Sequence, residues 1–116
     1  MDVKGFYEVV GANYDSALRI MMNDAFIERM LGKFFMNNSY NDIIANYEKK
    51  DFKSLFASVH SFKGVVGNLA LTPLFEIAVT ITEATRSLEV VNIDKEIDEL
   101  KNIYSLVERE YQRFSK

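Results

Sequence analysis

The chain of 116 residues carries 48% hydrophobic and 27% charged side chains, a globular composition with enough apolar material for one core, which excludes a disordered tail or a collagen-like fibre. A net charge of −3 gives no electrostatic basis for binding nucleic acid or an anionic membrane. With no cysteine and one histidine, thiol catalysis, disulfides, Cys-based zinc sites and His-cluster metal sites are excluded, and imidazole chemistry is confined to position 60.

The opening residues, Met1 to Tyr7, lack the apolar h-region of a signal peptide. No stretch approaches the roughly 20 apolar residues of a membrane span, so the cytoplasm is the expected location. A short helix is predicted from about Tyr14 to Met22, with Asn13 or Asp15 as its cap. Next, Ile27, Leu31 and Phe34, then Ile43, Ile44 and Tyr47, mark an apolar stripe that predicts one long helix from about Asp24 to Lys49. Asn37, Asn38 and Ser39 in its middle are poor helix formers and the place where it could break. Asp51 reads as the N-cap of a helix from about Phe52 to Leu69 or Leu71, whose apolar face is Leu55, Val59, Phe62, Val66 and Leu69. Thr72-Pro73 reads as an N-cap followed by proline at the first helical position. Leu74, Ile77, Ala78, Ile81, Ala84 and Leu88 carry that helix to about Glu89. Last comes a seam of Ile93, Ile97, Leu100, Tyr104, Val107, Tyr111 and Phe114, whose steps of four and three define one side of a long helix. Asn92 or Asp94 would cap it, and Arg109, Arg113 and Lys116 suit its carbonyl end. Short connections between long helices make neighbours antiparallel, so the expected fold is all-α, an up-down antiparallel four-helix bundle with a short additional N-terminal helix. Residues 1–116 read as a single domain without repeat or linker.

On a helical wheel at about 100° per residue, Phe56, Lys63 and Gly67 fall on one side of His60, and Lys53, Ala57 and Gly64 on the other. The apolar face is centred about 140° away. A lone histidine is ordinarily a boundary residue without a role, but here two glycines share its face, each costing a helix interior about 1 kcal/mol relative to alanine. Close helix packing would explain glycines on the apolar stripe, and these face away from it. Their placement instead suits something that approaches the backbone beside His60, with Lys63 supplying positive charge for an anion. No Gly-Lys-Ser/Thr follows them, so they are no phosphate-cradling loop.

The run His60-Ser61-Phe62-Lys63-Gly64-Val65-Val66-Gly67-Asn68-Leu69 resembles the signature of the histidine-containing phosphotransfer (HPt) domains of bacterial multistep phosphorelays. The likeness continues upstream in Tyr14 to Arg19, Ala25-Phe26, Met30-Leu31 and Lys33-Phe34, and covers roughly residues 13 to 110. Ala70 stands where the family commonly has glycine at the end of this helix.

The resemblance implies a phosphoryl carrier without turnover of its own. His60 Nε2 would accept the group from, and donate it to, the aspartate of a response-regulator receiver domain, the partner being such a receiver or a hybrid histidine kinase. Lys63 would balance charge on the phosphoryl oxygens, and Gly64 would leave room for the approach. No cofactor or metal is expected on this chain, since no carboxylate shares the His60 face; Mg²⁺ would sit on the receiver. The protein is expected to be a monomer. The docking surface implied beside the histidine would draw on an exposed apolar patch of Met21, Met22, Phe26 and Met30, with Phe56 and Gly67 nearer the site. Packing of Phe26 and Met30 under Phe6 to Val10 is the structural alternative. The functional alternative is a helical interaction module that has kept the scaffold without phosphotransfer. Asp94, Glu96, Asp98 and Glu99 read as carboxylates favoured at a helix start rather than a metal site.

Overall fold

The computed structural model describes residues 2–37, 39–87 and 92–115, and the regular structure in them is all α-helical. The helices are α1 (Val3–Val9), α2 (Tyr14–Met21), α3 (Asp24–Met36), α4 (Ser39–Glu48), α5 (Phe52–Asn68), α6 (Thr72–Thr85) and α7 (Asp94–Ser115). Side-chain oxygens fix most of the starts by taking an amide that the first turn leaves unpaired. Asn13 accepts from the Ser16 amide, Asn23 from Phe26, and Asp51 from Ser54. At α7 the Asn92 oxygen takes the Asp94 amide. The hydrogen bonds from Ser54 hold the Asp51 carboxyl below the usual carboxylate range.

Three expectations are corrected. The single long helix over 24–49 is two helices, because Asn37 leaves α3 in an extended conformation (φ −79°, ψ 149°) and its side-chain oxygen accepts the Ser39 amide at 2.9 Å, an Asx turn that competes with helix continuation. Thr72 is the first residue of α6 rather than its cap; Leu71 occupies the cap position without a side-chain bond, and Pro73 lies in the first turn, where its missing N–H is not needed. The N-terminal residues form a helix of their own, α1, capped by Asp2 on the Gly5 amide and burying Val3, Phe6, Tyr7 and Val10. The expected end of α6 near Leu88 and Glu89 lies outside the described residues.

The apolar stripes assemble into one core. All five residues of the α5 face are buried, as are Ile27, Leu31, Phe34 and Ile43 of α3 and α4, Leu74, Ile77, Ala78 and Ile81 of α6, and Ile97, Leu100, Tyr104 and Val107 of α7. Helices α4 and α5, α5 and α6, and α6 and α7 pack as neighbours, with α1 against α7 and α2 against α3. Aromatic pairs tie the first half to α7: Tyr40 stacks on Tyr104 with ring centres 3.8 Å apart, and Phe35 on Tyr111 at 4.4 Å. The Tyr47 hydroxyl donates to Asp94, joining the end of α4 to the start of α7. Phe56 lies near Arg86 and Gly67 against Phe75, so α5 and α6 run antiparallel.

Ala70 ends α5 with a left-handed backbone (φ 54°). Its amide donates to the Gly67 carbonyl and the Leu71 amide to the Val66 carbonyl, which is the Schellman arrangement usually built on glycine. Alanine therefore stops the helix where glycine would. Two bonds from the N-terminal segment secure this corner. The buried Tyr7 hydroxyl donates to the Leu69 carbonyl at 2.7 Å, and the Asn13 amide to the Ala70 carbonyl at 3.0 Å.

Candidate functional site

His60 sits in the middle of α5, on the side opposite the buried stripe, and is exposed. The helix that presents it is anchored at its start by the Asp51 cap and along one flank by Asn46 of α4, whose amide donates to the Ser54 carbonyl and the Ser58 hydroxyl. Four residues before His60, the half-buried Phe56 lays its ring parallel to the imidazole, 5° between planes and 5.7 Å between centres. With 5.7 Å between centres the parallel rings are offset, so Phe56 flanks the imidazole rather than covering its face. The lone pair of Nε2 lies in the ring plane, so the stack orients the ring without obstructing the nitrogen. Among the described residues no hydrogen bond engages either ring nitrogen.

The two glycines on this face have different surroundings. A Cβ built on Gly64 meets nothing within 4 Å, whereas one on Gly67 would lie 3.1 Å from the Phe75 ring. Gly67 is therefore a packing glycine, because its missing side chain admits Phe75 of α6 across α5. The packing role that the helical wheel argued against thus holds for Gly67. Lys63, one turn after His60, is half-buried.

Helix α6 brings two charged residues that the α5 wheel could not display. The Arg86 guanidinium stands over the Phe56 ring, 5.7 Å from its centre, and is held by both carboxylate oxygens of Glu83, at 2.8 and 3.1 Å. Arg86 keeps the Glu83 carboxyl below its ordinary range, with Lys63 adding to the same field. Arg86 and Lys63 thus both act on Glu83, on the flank of α5 that faces α6. Glu83 supplies a carboxylate there from a different helix. Among the described residues no group of three or more His, Asp or Glu is gathered closely enough to hold a metal ion.

On the opposite flank of α5 a cleft of about 450 Å³ separates it from α3 and α4. Ser61, Val65 and Asn68 form the α5 wall, and Met30, Phe34 and Asn37 part of the other. The apolar patch drawn from sequence is only partly assembled here. Met21 and Met30 reach the cleft, but Met21 is buried, at 8% exposure, which corrects its place in an exposed patch. Met22 is open to solvent at 78% but does not line the cleft. Phe26 is half-buried beneath the Arg29 guanidinium, 5.2 Å from its ring centre.

The family model of the Hpt domain matches residues 27–110, which contain α4, α5 and α6 whole together with most of α3 and α7. The chain belongs to the Hpt domain family. Hpt domains are the phosphotransfer carriers of phosphorelays, which work with receiver domains or kinases. No curated protein and no solved structure gives a significant match to the chain. In this Hpt domain the matched region holds His60, Lys63 and Gly64 as well as Glu83 and Arg86, while α1 and α2 precede it. No helix among the described residues is long and apolar enough to cross a membrane.

Proposed function

We propose that this Hpt domain carries phosphate on His60 between the aspartates of receiver domains, one of which can belong to a hybrid kinase. The observation that carries the reading is the open space beside an exposed histidine. The imidazole is oriented by Phe56 with its edge free, and nothing stands within 4 Å of where a Gly64 side chain would begin. In acceptance, Nε2 attacks the phosphorus of the aspartyl phosphate. The N–P bond forms as the P–O bond breaks, the carboxylate leaves on the receiver, and positive charge developing on the ring is shared with Nδ1–H. The reverse step returns the group. Lys63 lies one turn away, where an ammonium can offset charge on the equatorial oxygens, which is most of what a loose phosphoryl-transfer transition state requires.

Mg²⁺ is assigned to the receiver, and no cofactor to this chain. The reading takes residues 1–116 as one monomeric, cytoplasmic domain in which α3 with α4, α5, α6 and α7 are the four members of an up-down bundle. The open approach to His60 favours a working carrier over a scaffold that has lost transfer. Incubation with phosphorylated receivers, followed by a search for acid-labile, base-stable label, tests it. The parent should be labelled and His60→Gln should not, with helicity and melting temperature nearly unchanged because His60 is outside the core. Equal labelling of the variant refutes His60 as the acceptor.

A further inference from the structure

Among the described residues, Glu83 is the carboxylate paired with the Arg86 guanidinium beside Phe56. Its two oxygens hold the Arg86 guanidinium, that guanidinium covers Phe56, and Phe56 lies parallel to the imidazole, each step being 5.7 Å. The two steps together put the guanidinium at most about 11 Å from the imidazole centre, a gap to be closed by rotation of the arginine side chain about its own bonds and by the reach of a phosphoryl group on Nε2. Both ends of the ion pair are solvated, with 56% and 58% of the side chains exposed, the kind of pair that water screens and a denser anion displaces. A phosphoryl group is that denser anion. It brings nearly two negative charges and three acceptor oxygens, and the guanidinium fork matches phosphate as well as carboxylate.

We propose that Glu83 is a stand-in anion for the phosphoryl group, holding Arg86 behind Phe56 while His60 is unmodified and surrendering it to the phosphoryl oxygens once His60 is charged. The inference rests on the reading of His60 as carrier. Glu83 touches no reacting atom and is a positioning residue that acts through Arg86. Its charge biases the equilibrium toward the uncharged carrier, which makes the phosphoryl group easier to pass on.

The full chain can be charged without a partner by phosphoramidate: the P–N bond to ammonia breaks as the P–N bond to Nε2 forms, and ammonia leaves. At fixed phosphoramidate and ammonia, ³¹P NMR gives the equilibrium ratio of charged to uncharged protein. Glu83→Gln should raise that ratio about threefold or more, and Glu83→Asp should restore it toward the parent. With Arg86→Ala already in place, adding Glu83→Gln should have a much smaller effect. Melting curves of the uncharged variants establish that each is folded. An unchanged or lowered ratio in Glu83→Gln overturns the proposal. So does a gain of full size without Arg86, which simple removal of a negative charge would produce. Failure of every protein, parent included, to acquire base-stable phosphate sinks the carrier reading and this inference with it.

Discussion

Glutamine at position 64 would separate folding from transfer in a single variant. Gly64 lies inside a helix on a solvent-facing side, with nothing within 4 Å of an added Cβ. No packing is lost there, and the backbone entropy of glycine is the main quantity changed. Glutamine is close to alanine in helix propensity, so the substitution should stabilise the fold by up to about 1 kcal/mol, a rise of about 4 °C in Tm for a chain of this size. Four residues put position 64 about 6 Å along the axis from His60 and about 40° around it, where a glutamine side chain enters the space a receiver must occupy. Transfer should fall by about an order of magnitude, equivalent to about 1.4 kcal/mol on the barrier. Thermal melts and a phosphotransfer time course with a receiver read the two effects independently. A less stable variant, or a stable one that transfers at the parental rate, refutes the claim that glycine keeps the approach open.

Lys63→Ala should slow transfer and alter the phosphohistidine lifetime while leaving the far-ultraviolet spectrum intact; an unchanged rate with a cognate receiver removes Lys63 from the mechanism. Tyr7→Phe leaves the buried Leu69 carbonyl without the donor it now has and should cost about 1–3 kcal/mol in chemical denaturation; a smaller loss would mean that water replaces the hydroxyl. Ala70→Gly should gain roughly 0.5 kcal/mol, since relief of a left-handed alanine at about 1–2 kcal/mol exceeds the loss of one largely buried methyl. A destabilised Ala70→Gly would show that the methyl contributes more than the backbone strain removes.

The helices whose apolar seams run unbroken were legible from spacing alone. Leu55, Val59, Phe62, Val66 and Leu69 mark the buried face of α5, and Ile97 through Val107 that of α7. The break at Asn37 also had a signal in the spacing: at about 100° per residue, Ile43, Ile44 and Tyr47 resume on nearly the opposite side from Ile27, Leu31 and Phe34, a jump in phase that one continuous helix does not accommodate. One side-chain hydrogen bond to Ser39 decides between two helices and one. Helix α1 had a readable signal in Asp2 followed by Val3, Phe6, Tyr7 and Val10, a cap and a three-four spacing in a segment short enough to overlook. At the site, the α5 wheel shows which residues share a face with His60 but not what faces them. Gly64 and Gly67 look equivalent on that wheel and are distinguished only by Phe75. Glu83 and Arg86 read in sequence as an ordinary surface pair three residues apart, and only the antiparallel packing of α6 on α5 gives them a place beside His60.

The stack of Phe56 on the chain's single imidazole also gives the protein its own spectroscopic gauge. Circulating π-electrons of a parallel benzene ring shift the carbon-bound protons of the imidazole away from their free positions. With one histidine in the sequence, those resonances identify themselves without assignment. Any event that tilts the ring off Phe56, whether phosphorylation at Nε2 or the arrival of a receiver, would move the same two signals, and removal of the Phe56 ring would return them toward the values of an unstacked imidazole.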